Sequence, residues 1–215
     1  FDEKWSHGSA VCETVYFFVE FVCVFPWKCV SLNNQNRGKI MDGILRKLPI
    51  GIQTFEKLRE GDYLYVDKTA LVWRIASTET PYFLSRPRRF GKSLLLSTFE
   101  AYFEGKKELF EGLAIADMEK EWKTYPLFHL DLNAEKYDSP QALVEILSRQ
   151  LTQWELKYGK GEDEETLSGR FAGVIRRACE QSGRGVVVLV DEYDKPLLQA
   201  LGDDALLDDY RKTLK

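Results

Sequence analysis

The sequence feature that most constrains the fold is a run of five apolar residues, Val186–Val190, four of which are β-branched valines. A short apolar run without polar alternation is typical of a strand buried on both faces at the centre of a parallel sheet. Parallel strands need long crossover connections, which are usually helices. The sequence therefore predicts an α/β fold with a mostly parallel sheet and flanking helices.

Helical and strand patterns alternate along the chain, as this fold requires. Asp67 is a candidate N-cap, and the pair Ser139 and Pro140 is typical of a helix start. Because only three strands can be counted, we expect the sheet to be incomplete. The predicted strands cover residues 81–85, 127–132 and 186–190, and the predicted helices cover residues 55–59, 68–76, 92–104, a long segment from Pro140 onward, and 166–181.

The composition is that of one globular domain, with 215 residues of which 44% are hydrophobic and 30% are charged. A formal net charge of −4 argues against binding nucleic acid with the whole surface. The four cysteines form no C-x-x-C pair and there are only two histidines, so neither a structural zinc site nor a disulfide scaffold is expected. Reduced cysteines and the lack of an export signal predict a cytoplasmic protein.

The first 40 residues differ from the rest of the chain. Residues 11–30 are apolar and aromatic, but Glu13 and Glu20 interrupt them and Pro26 ends the run. Each carboxylate at bilayer depth would cost roughly 2 to 3 kcal/mol, so we expect neither a membrane span nor a membrane partner. A polar stretch then leads to Met41. We predict that residues 1–40 are an atypical extension, that Met41 is the natural start, and that residues 41–215 form the domain.

A phosphate-loop pattern lies between the first predicted strand and the helix that follows it. Gly91, Lys92 and Ser93 match the end of G-x-x-x-x-G-K-[ST], whereas Arg86 occupies the position of the first glycine. A glycine lets the backbone approach a phosphate, and the first amides of the helix point toward it. Lys92 would bridge the β- and γ-phosphates, and the Ser93 hydroxyl would bind Mg²⁺.

A second candidate element follows the apolar strand directly, where Asp191 and Glu192 complete the pattern of a Walker B element. Asp191 would hold Mg²⁺, and Glu192 would act as general base toward the attacking water. Taken alone, the pair could also simply end a strand and cap the next helix. Ligands of open α/β sheets bind beyond the carboxyl ends of the strands, so the two elements together predict one nucleotide site.

Three strings of the sequence carry a family resemblance: LPIGIQTFEKLREGDYLYVDKT, YFLSRPRRFGKSLLLSTFEAYFEGKKELFEGLAI and VVVLVDEYDKPL. From about Ile44 onward the chain resembles the bacterial AAA-ATPase-like family, whose P-loop domain is often followed by a PD-(D/E)XK nuclease-type region. The resemblance implies a P-loop NTPase of the additional-strand class. Arg86 in place of the glycine fits this family's own loop, R-P-R-R-F-G-K-S.

The resemblance also implies a set of site residues. Glu192 and Lys92 would be catalytic, and Ser93 and Asp191 would bind the metal. The nucleotide would contact the loop and the first residues of the helix, which are Arg86, Arg88, Arg89, Phe90, Gly91, Lys92, Ser93 and Leu94.

The function expected from these residues is binding of ATP with Mg²⁺, with hydrolysis in the complete protein. Members of the family continue past Lys215, so the sensor residues and an arginine finger cannot be assigned. The alternative is a non-catalytic nucleotide-binding module that recruits a nuclease or a DNA partner. The resemblance leaves open a homo-oligomer, and DNA contact through a nuclease-type region beyond these residues.

Other polar groups have more than one interpretation. The cations of the loop, from Arg86 to Lys92, could bind triphosphate or nucleic-acid phosphates, or form a solvated basic loop. Residues 67–69 could line the nucleotide pocket or cap a helix. Asp194 and Lys195 could orient Glu192 or the Mg²⁺ shell. His129 and Asp131 share a strand face and are expected to be structural, and residues 162–165 are expected to be a solvated connector.

Overall fold

The computed structural model describes residues 15–18, 46–78, 80–84, 90–133 and 136–214, the first of these segments by its backbone alone. A 3₁₀ turn at Lys107–Phe110 accompanies the regular elements. In chain order these are β1 (Val15–Phe18), α1 (Phe55–Glu60), α2 (Thr69–Ala76), β2 (Tyr82–Phe83), α3 (Lys92–Phe103), α4 (Ala114–Met118), β3 (Leu127–Asp131), α5 (Pro140–Tyr158), α6 (Leu167–Ser182), β4 (Val187–Asp191), α7 (Lys195–Gln199) and α8 (Asp204–Thr213).

The four strands form one parallel sheet in the order β2-β1-β4-β3. This confirms the prediction of a parallel sheet with flanking helices. The count of three strands was wrong, because β1 lies within the apolar segment that the sequence analysis treated as an extension. Phe17 of β1 pairs with Tyr82 on one side and with Leu189 on the other. Whether residues 1–40 are native stays a prediction.

Strand β4 is buried along its whole length, as its composition predicted. Val187 and Leu189 belong to the hydrophobic cluster that includes residues of α1, α2 and α3. Val188 and Val190 belong to a second cluster with residues of α5 and α6. Alternate residues of one strand thus contribute to two cores, and the sheet lies between two helical layers. A third cluster joins α5 and α8 through Leu143 and Tyr210.

Asp67 has a structural role at the start of two helices. Its Oδ1 accepts hydrogen bonds from the backbone N–H of Thr69, at 2.8 Å, and from the Thr69 hydroxyl, at 2.7 Å. Its Oδ2 accepts from the backbone N–H of Ala114, the first residue of α4, at 2.8 Å. Asp67 therefore binds the first N–H of α2 and joins that helix to α4, although the N-cap residue is Lys68, one position after the predicted one. Ser139 is the N-cap residue of α5, but its side chain makes no capping hydrogen bond.

Two ion pairs join α6 to α5 and to the segment that precedes α6. Arg170 of α6 donates to both carboxylate oxygens of Glu155 on α5, at 2.7 and 2.8 Å. Arg177 donates to both oxygens of Glu164, at 2.5 and 2.9 Å. The prediction of a solvated connector was therefore wrong for Glu164, whose side chain is only 11% exposed. The expectation of reduced cysteines was wrong for Cys179, which is disulfide-bonded.

No helix within the described part of the chain is both long enough and apolar enough to cross a bilayer.

Candidate functional site

The N-terminus of α3 forms one side of the candidate site. Gly91 precedes the helix with φ 80° and ψ 24°, a left-handed conformation that favours glycine over residues with a Cβ. A Cβ at this position would meet no atom within 4 Å, so backbone conformation and not crowding accounts for the glycine. The helical hydrogen bonds begin with Leu95 N–H donating to Gly91 O at 2.9 Å. The backbone N–H groups of the first turn precede this bond, as in any helix, and point out of the N-terminal end of α3.

The carboxyl end of β4 forms the other side. Asp191 is buried, with 7% exposure, and its Oδ2 accepts a hydrogen bond from the Ser93 hydroxyl at 3.2 Å. The two residues are 98 positions apart in the sequence. The structure thus brings together the two residues that the sequence analysis assigned to the metal.

Glu192 follows with φ 55°, a left-handed conformation that costs a residue with a side chain roughly 1 to 2 kcal/mol. Its backbone N–H donates to Oδ1 of Asp191 at 3.0 Å. Its carboxylate Oε1 lies 3.9 Å from Nζ of Lys92, and the two side chains are 25% and 11% exposed. Both residues predicted to be catalytic therefore lie at one edge of the sheet.

The donor set fits Mg²⁺ with a triphosphate. The Ser93 hydroxyl and the Asp191 carboxylate are hard oxygen ligands, and Mg²⁺ is usually held by one or two such groups together with waters and substrate phosphates. Lys92, the first residue of α3, would supply a positive charge for phosphate oxygens.

Of the other residues predicted to contact the nucleotide, the structure describes Phe90 and Leu94 but not the three arginines. Arg86, Arg88 and Arg89 lie outside the described residues, so their predicted phosphate contacts stay predictions. Phe90 is 63% exposed next to Gly91. The Leu94 side chain packs against the hydrophobic cluster beneath α3, so a ligand would meet the Leu94 backbone and not its side chain.

A third strand end contributes polar groups, of which the sequence analysis named Asp131 and Lys195 but missed Asn133. Asp131 of β3 is in register with Asp191, and its Oδ1 accepts a hydrogen bond from Asn133 N–H at 2.8 Å. Lys195 Nζ donates to the Asn133 backbone carbonyl and to Asn133 Oδ1. The position of Asn133 in the sequence could have indicated this, because it follows a predicted parallel strand whose carboxyl end lies at the same edge of the sheet as that of β4.

His129 joins α3 to β3, with Nδ1 2.6 Å from Oε1 of Glu100. Burial lowers the pKa of His129, but the Glu100 hydrogen bond and the negative charges of Glu100, Asp131 and Asp191 outweigh it and raise the pKa above 6.5. The structural assignment of His129 agrees with this geometry, although its hydrogen-bonding partner is Glu100 and not Asp131. Glu100 lies two turns after Ser93, so α3 contacts the sheet edge at two polar points.

The arrangement of a glycine turn, a helix N-terminus and an acidic strand end can be compared with known proteins. The family described as "Predicted AAA-ATPase" matches residues 49–215. The chain belongs to this family. The match confirms the resemblance seen in the sequence and indicates nucleotide binding, which in predicted ATPases usually involves Mg²⁺ with ATP.

One relative of this predicted AAA-ATPase is described as "Uncharacterized protein in vnfD 5'region" from Azotobacter chroococcum mcd 1. It is 44% identical over 157 residues, which cover 73% of this chain and 30% of the relative. The chain therefore spans less than a third of that protein's length. No solved structure matches the chain.

Proposed function

We propose that this chain binds ATP with Mg²⁺ between the start of α3 and the end of β4, and that the complete protein hydrolyses it. The observation that carries the proposal is the 3.2 Å hydrogen bond between Ser93 and Asp191, which joins two distant sequence motifs at one sheet edge. Membership in the predicted AAA-ATPase family supports the same conclusion.

Each residue has a defined part in the proposal. Lys92 and the first amides of α3 hold the phosphates, and Ser93 and Asp191 hold the metal ion, which when bound would neutralise phosphate charge. Glu192 accepts the proton of the attacking water. In the structure its carboxylate lies near Lys92, so phosphate binding to Lys92 would replace that ion pair and release Glu192 for the water.

The test of this site combines binding and turnover. Thermal unfolding of the full chain is measured with and without Mg-ATP, beside Lys92→Ala and, as a matched control, Lys160→Ala in the exposed connector. A ligand at a hundred times its Kd stabilises the folded state by about 2.7 kcal/mol. For a chain of this size that raises the midpoint by about 5 to 11 °C.

We expect the shift in the unsubstituted chain and in Lys160→Ala, and its loss in Lys92→Ala. An undiminished shift in Lys92→Ala would overturn the phosphate-loop assignment. Phosphate release then separates the two functional alternatives. Glu192→Gln should abolish release while keeping the Mg-ATP shift. If the unsubstituted chain binds Mg-ATP but releases no phosphate, the non-catalytic module is favoured for this part of the protein.

The chain spans 30% of the length of this relative, so the activity of the whole protein is also a proposal. A DNA partner reached through a nuclease-type region, a homo-oligomer and a cytoplasmic location remain part of the proposal. The sequence resemblance is the support for the first two, and the cytoplasmic location is an expectation from the sequence.

A further inference from the structure

The turn that follows β4 holds Glu192 in a conformation that the residue would not adopt without support. Its φ of 55° lies in the left-handed region, which residues other than glycine, asparagine and aspartate rarely populate. Strained residues of this kind persist where surrounding contacts over-determine them, and such residues cluster at functional sites. The contacts that hold this turn therefore determine where the Glu192 carboxylate lies.

Lys195 supplies those contacts from its backbone and its side chain together. Its backbone N–H donates to the Glu192 carbonyl at 3.0 Å and closes the turn. Its ammonium group donates to the backbone carbonyl of Asn133 and, at 3.0 Å, to Asn133 Oδ1. One residue thus joins the Glu192 turn to the loop that follows β3.

The loop that receives Lys195 is itself fixed to the sheet. Asn133 N–H donates to Asp131 Oδ1 at 2.8 Å, and Leu132 N–H donates to the Asp191 carbonyl at 3.1 Å. Leu132 is fully buried. Hydrogen bonds of Asn133 and Leu132 therefore connect the Asn133 acceptors to the ends of β3 and β4, and Lys195 joins the Glu192 turn to these strand ends.

The position of Lys195 in its own helix gives no alternative reason for a cation there. Lys195 is the first residue of α7, and a positive charge at a helix N-terminus is disfavoured by the helix dipole. Pro196 follows, and its ring restricts the backbone of the residue before it. The hydrogen bonds to Asn133 are therefore the interaction that explains a lysine at this position.

We infer that Lys195, anchored on Asn133, is the positioning residue that holds Glu192 in place to accept the proton of the attacking water. The inference rests on the proposed ATPase function and deepens it. The hydrogen bonds of Lys195 go to Asn133 and to the Glu192 backbone. Lys195 acts through the Glu192 backbone, so its loss should affect turnover and not nucleotide affinity.

The first experiment tests the tether without nucleotide. Hydrogen exchange is compared between the unsubstituted full chain, Lys195→Met, Lys195→Arg and the control Lys160→Met. Met keeps the apolar stem and removes the ammonium donor. We expect faster exchange in the peptide that contains residues 191–196 of Lys195→Met, with no change in peptides from α5. Unchanged exchange at residues 191–196 would overturn the claim that the Lys195–Asn133 hydrogen bonds hold the Glu192 turn.

The second experiment measures the consequence for catalysis. Phosphate release at saturating Mg-ATP should fall about tenfold or more in Lys195→Met, whereas the Kd for Mg-ATP should stay within about twofold. Lys195→Arg, which can still donate to Asn133, should retain at least about a third of the rate. Asn133→Ala keeps the backbone carbonyl acceptor and should show an intermediate loss.

The outcomes separate this inference from the proposed function. A normal release rate in Lys195→Met, or a loss of rate matched by an equal loss of Mg-ATP affinity and of melting temperature, overturns the positioning role. Mg-ATP binding without phosphate release in the unsubstituted chain overturns it too, while the phosphate site stands. If no protein binds Mg-ATP, the proposed function fails, and with it the positioning role.

Discussion

Glu164 lies against the backbone of α6 because Gly173 has no side chain. A Cβ at Gly173 would lie 1.7 Å from Oε1 of Glu164, which is far inside van der Waals contact. The same carboxylate accepts two hydrogen bonds from Arg177 and one from Gly161 N–H at 3.1 Å. The sequence run GEDEE does not distinguish Glu164 from its exposed neighbours. The difference depends on Gly173 in α6, one helix turn before Arg177, and this contact is visible only in the structure.

The ionisation of Glu164 makes this contact dependent on pH. The hydrogen bonds and charge of Arg177 hold the pKa of Glu164 at about 2, below its ordinary value of 4.5. A carboxylate whose pKa is lowered by folding stabilises the protein above the unfolded pKa, and this contribution is lost as the pH falls through the folded pKa. Glu164 therefore contributes fully at neutral pH and loses its contribution between about pH 4.5 and pH 2.

We predict that Glu164→Gln lowers the free energy of unfolding by about 2 kcal/mol at pH 7, the usual range for charged hydrogen bonds. Urea titrations from pH 7 to pH 3 would measure the difference from the unsubstituted chain, which should shrink below pH 4.5. Glu165→Gln, an exposed neighbour, should change stability by less than about 0.5 kcal/mol. Equal effects of the two substitutions would contradict the buried ion pair.

At the scale of elements, helix α3 is central to the site because two of its polar residues, about two turns apart, contact strands of the sheet. Ser93 contacts Asp191 at the helix start, and Glu100 contacts His129 further along. The helix itself was predictable from its apolar spacing, and its observed bounds, Lys92–Phe103, differ from the prediction by one residue. The Glu100 contact was not predictable, because strand order decides which residue faces Glu100.

Two of the short helices were not predicted from the sequence. Helices α4 and α7 have five residues each, which is too short for a periodic pattern to emerge. Their positions depend on partners elsewhere in the fold, such as Asp67 for α4 and Asn133 for Lys195 of α7. The long helices and β4 were predictable because their patterns extend over enough residues.

The Glu100–His129 contact predicts a second pH dependence, of opposite sign to that of Glu164. The pKa of His129 is raised by folding, so its stabilising contribution is present below the unfolded value near 6.5 and is lost as the pH rises through the folded pKa. His129→Gln should therefore destabilise the chain by about 1 kcal/mol at pH 5.5 and by less at pH 9. Urea midpoints at both pH values would check this, and a difference that does not change with pH would contradict the raised pKa.

At the scale of the whole molecule, the most consequential feature is the position of β1. It lies between β2, which precedes the phosphate loop, and β4, which carries Asp191. Yet β1 precedes the residues 49–215 that match the family. A strand from outside the family region thus sets the spacing of the two motif-bearing strands. Its apolar, aromatic sequence is compatible with a strand, but its place in the sheet depends on which edges are available, and the sequence alone does not contain this.

The position of β1 leads to a prediction that also tests the domain boundary at Met41. Proline has no N–H to donate and is poorly tolerated in central strands. In the full chain, Phe17→Pro would interrupt the pairing of β1 with β2 and β4. We expect it to lower the free energy of unfolding by about 1 to 3 kcal/mol, the cost of leaving a buried hydrogen-bonding group unpaired. The Mg-ATP shift should decrease with it, because the spacing of Ser93 and Asp191 depends on the interposed strand.

Asn34→Pro, in the polar stretch before Met41, is the matched control and should leave both quantities unchanged. Urea titration measures the stability, and the Mg-ATP melting shift measures the site. If Phe17→Pro behaves like Asn34→Pro, then β1 is dispensable, and residues 41–215 are a sufficient domain, as the sequence predicted. If only Phe17→Pro is destabilised, the nucleotide site depends on a strand that the family match does not include. The folded domain then begins before Met41, and the predicted boundary is wrong.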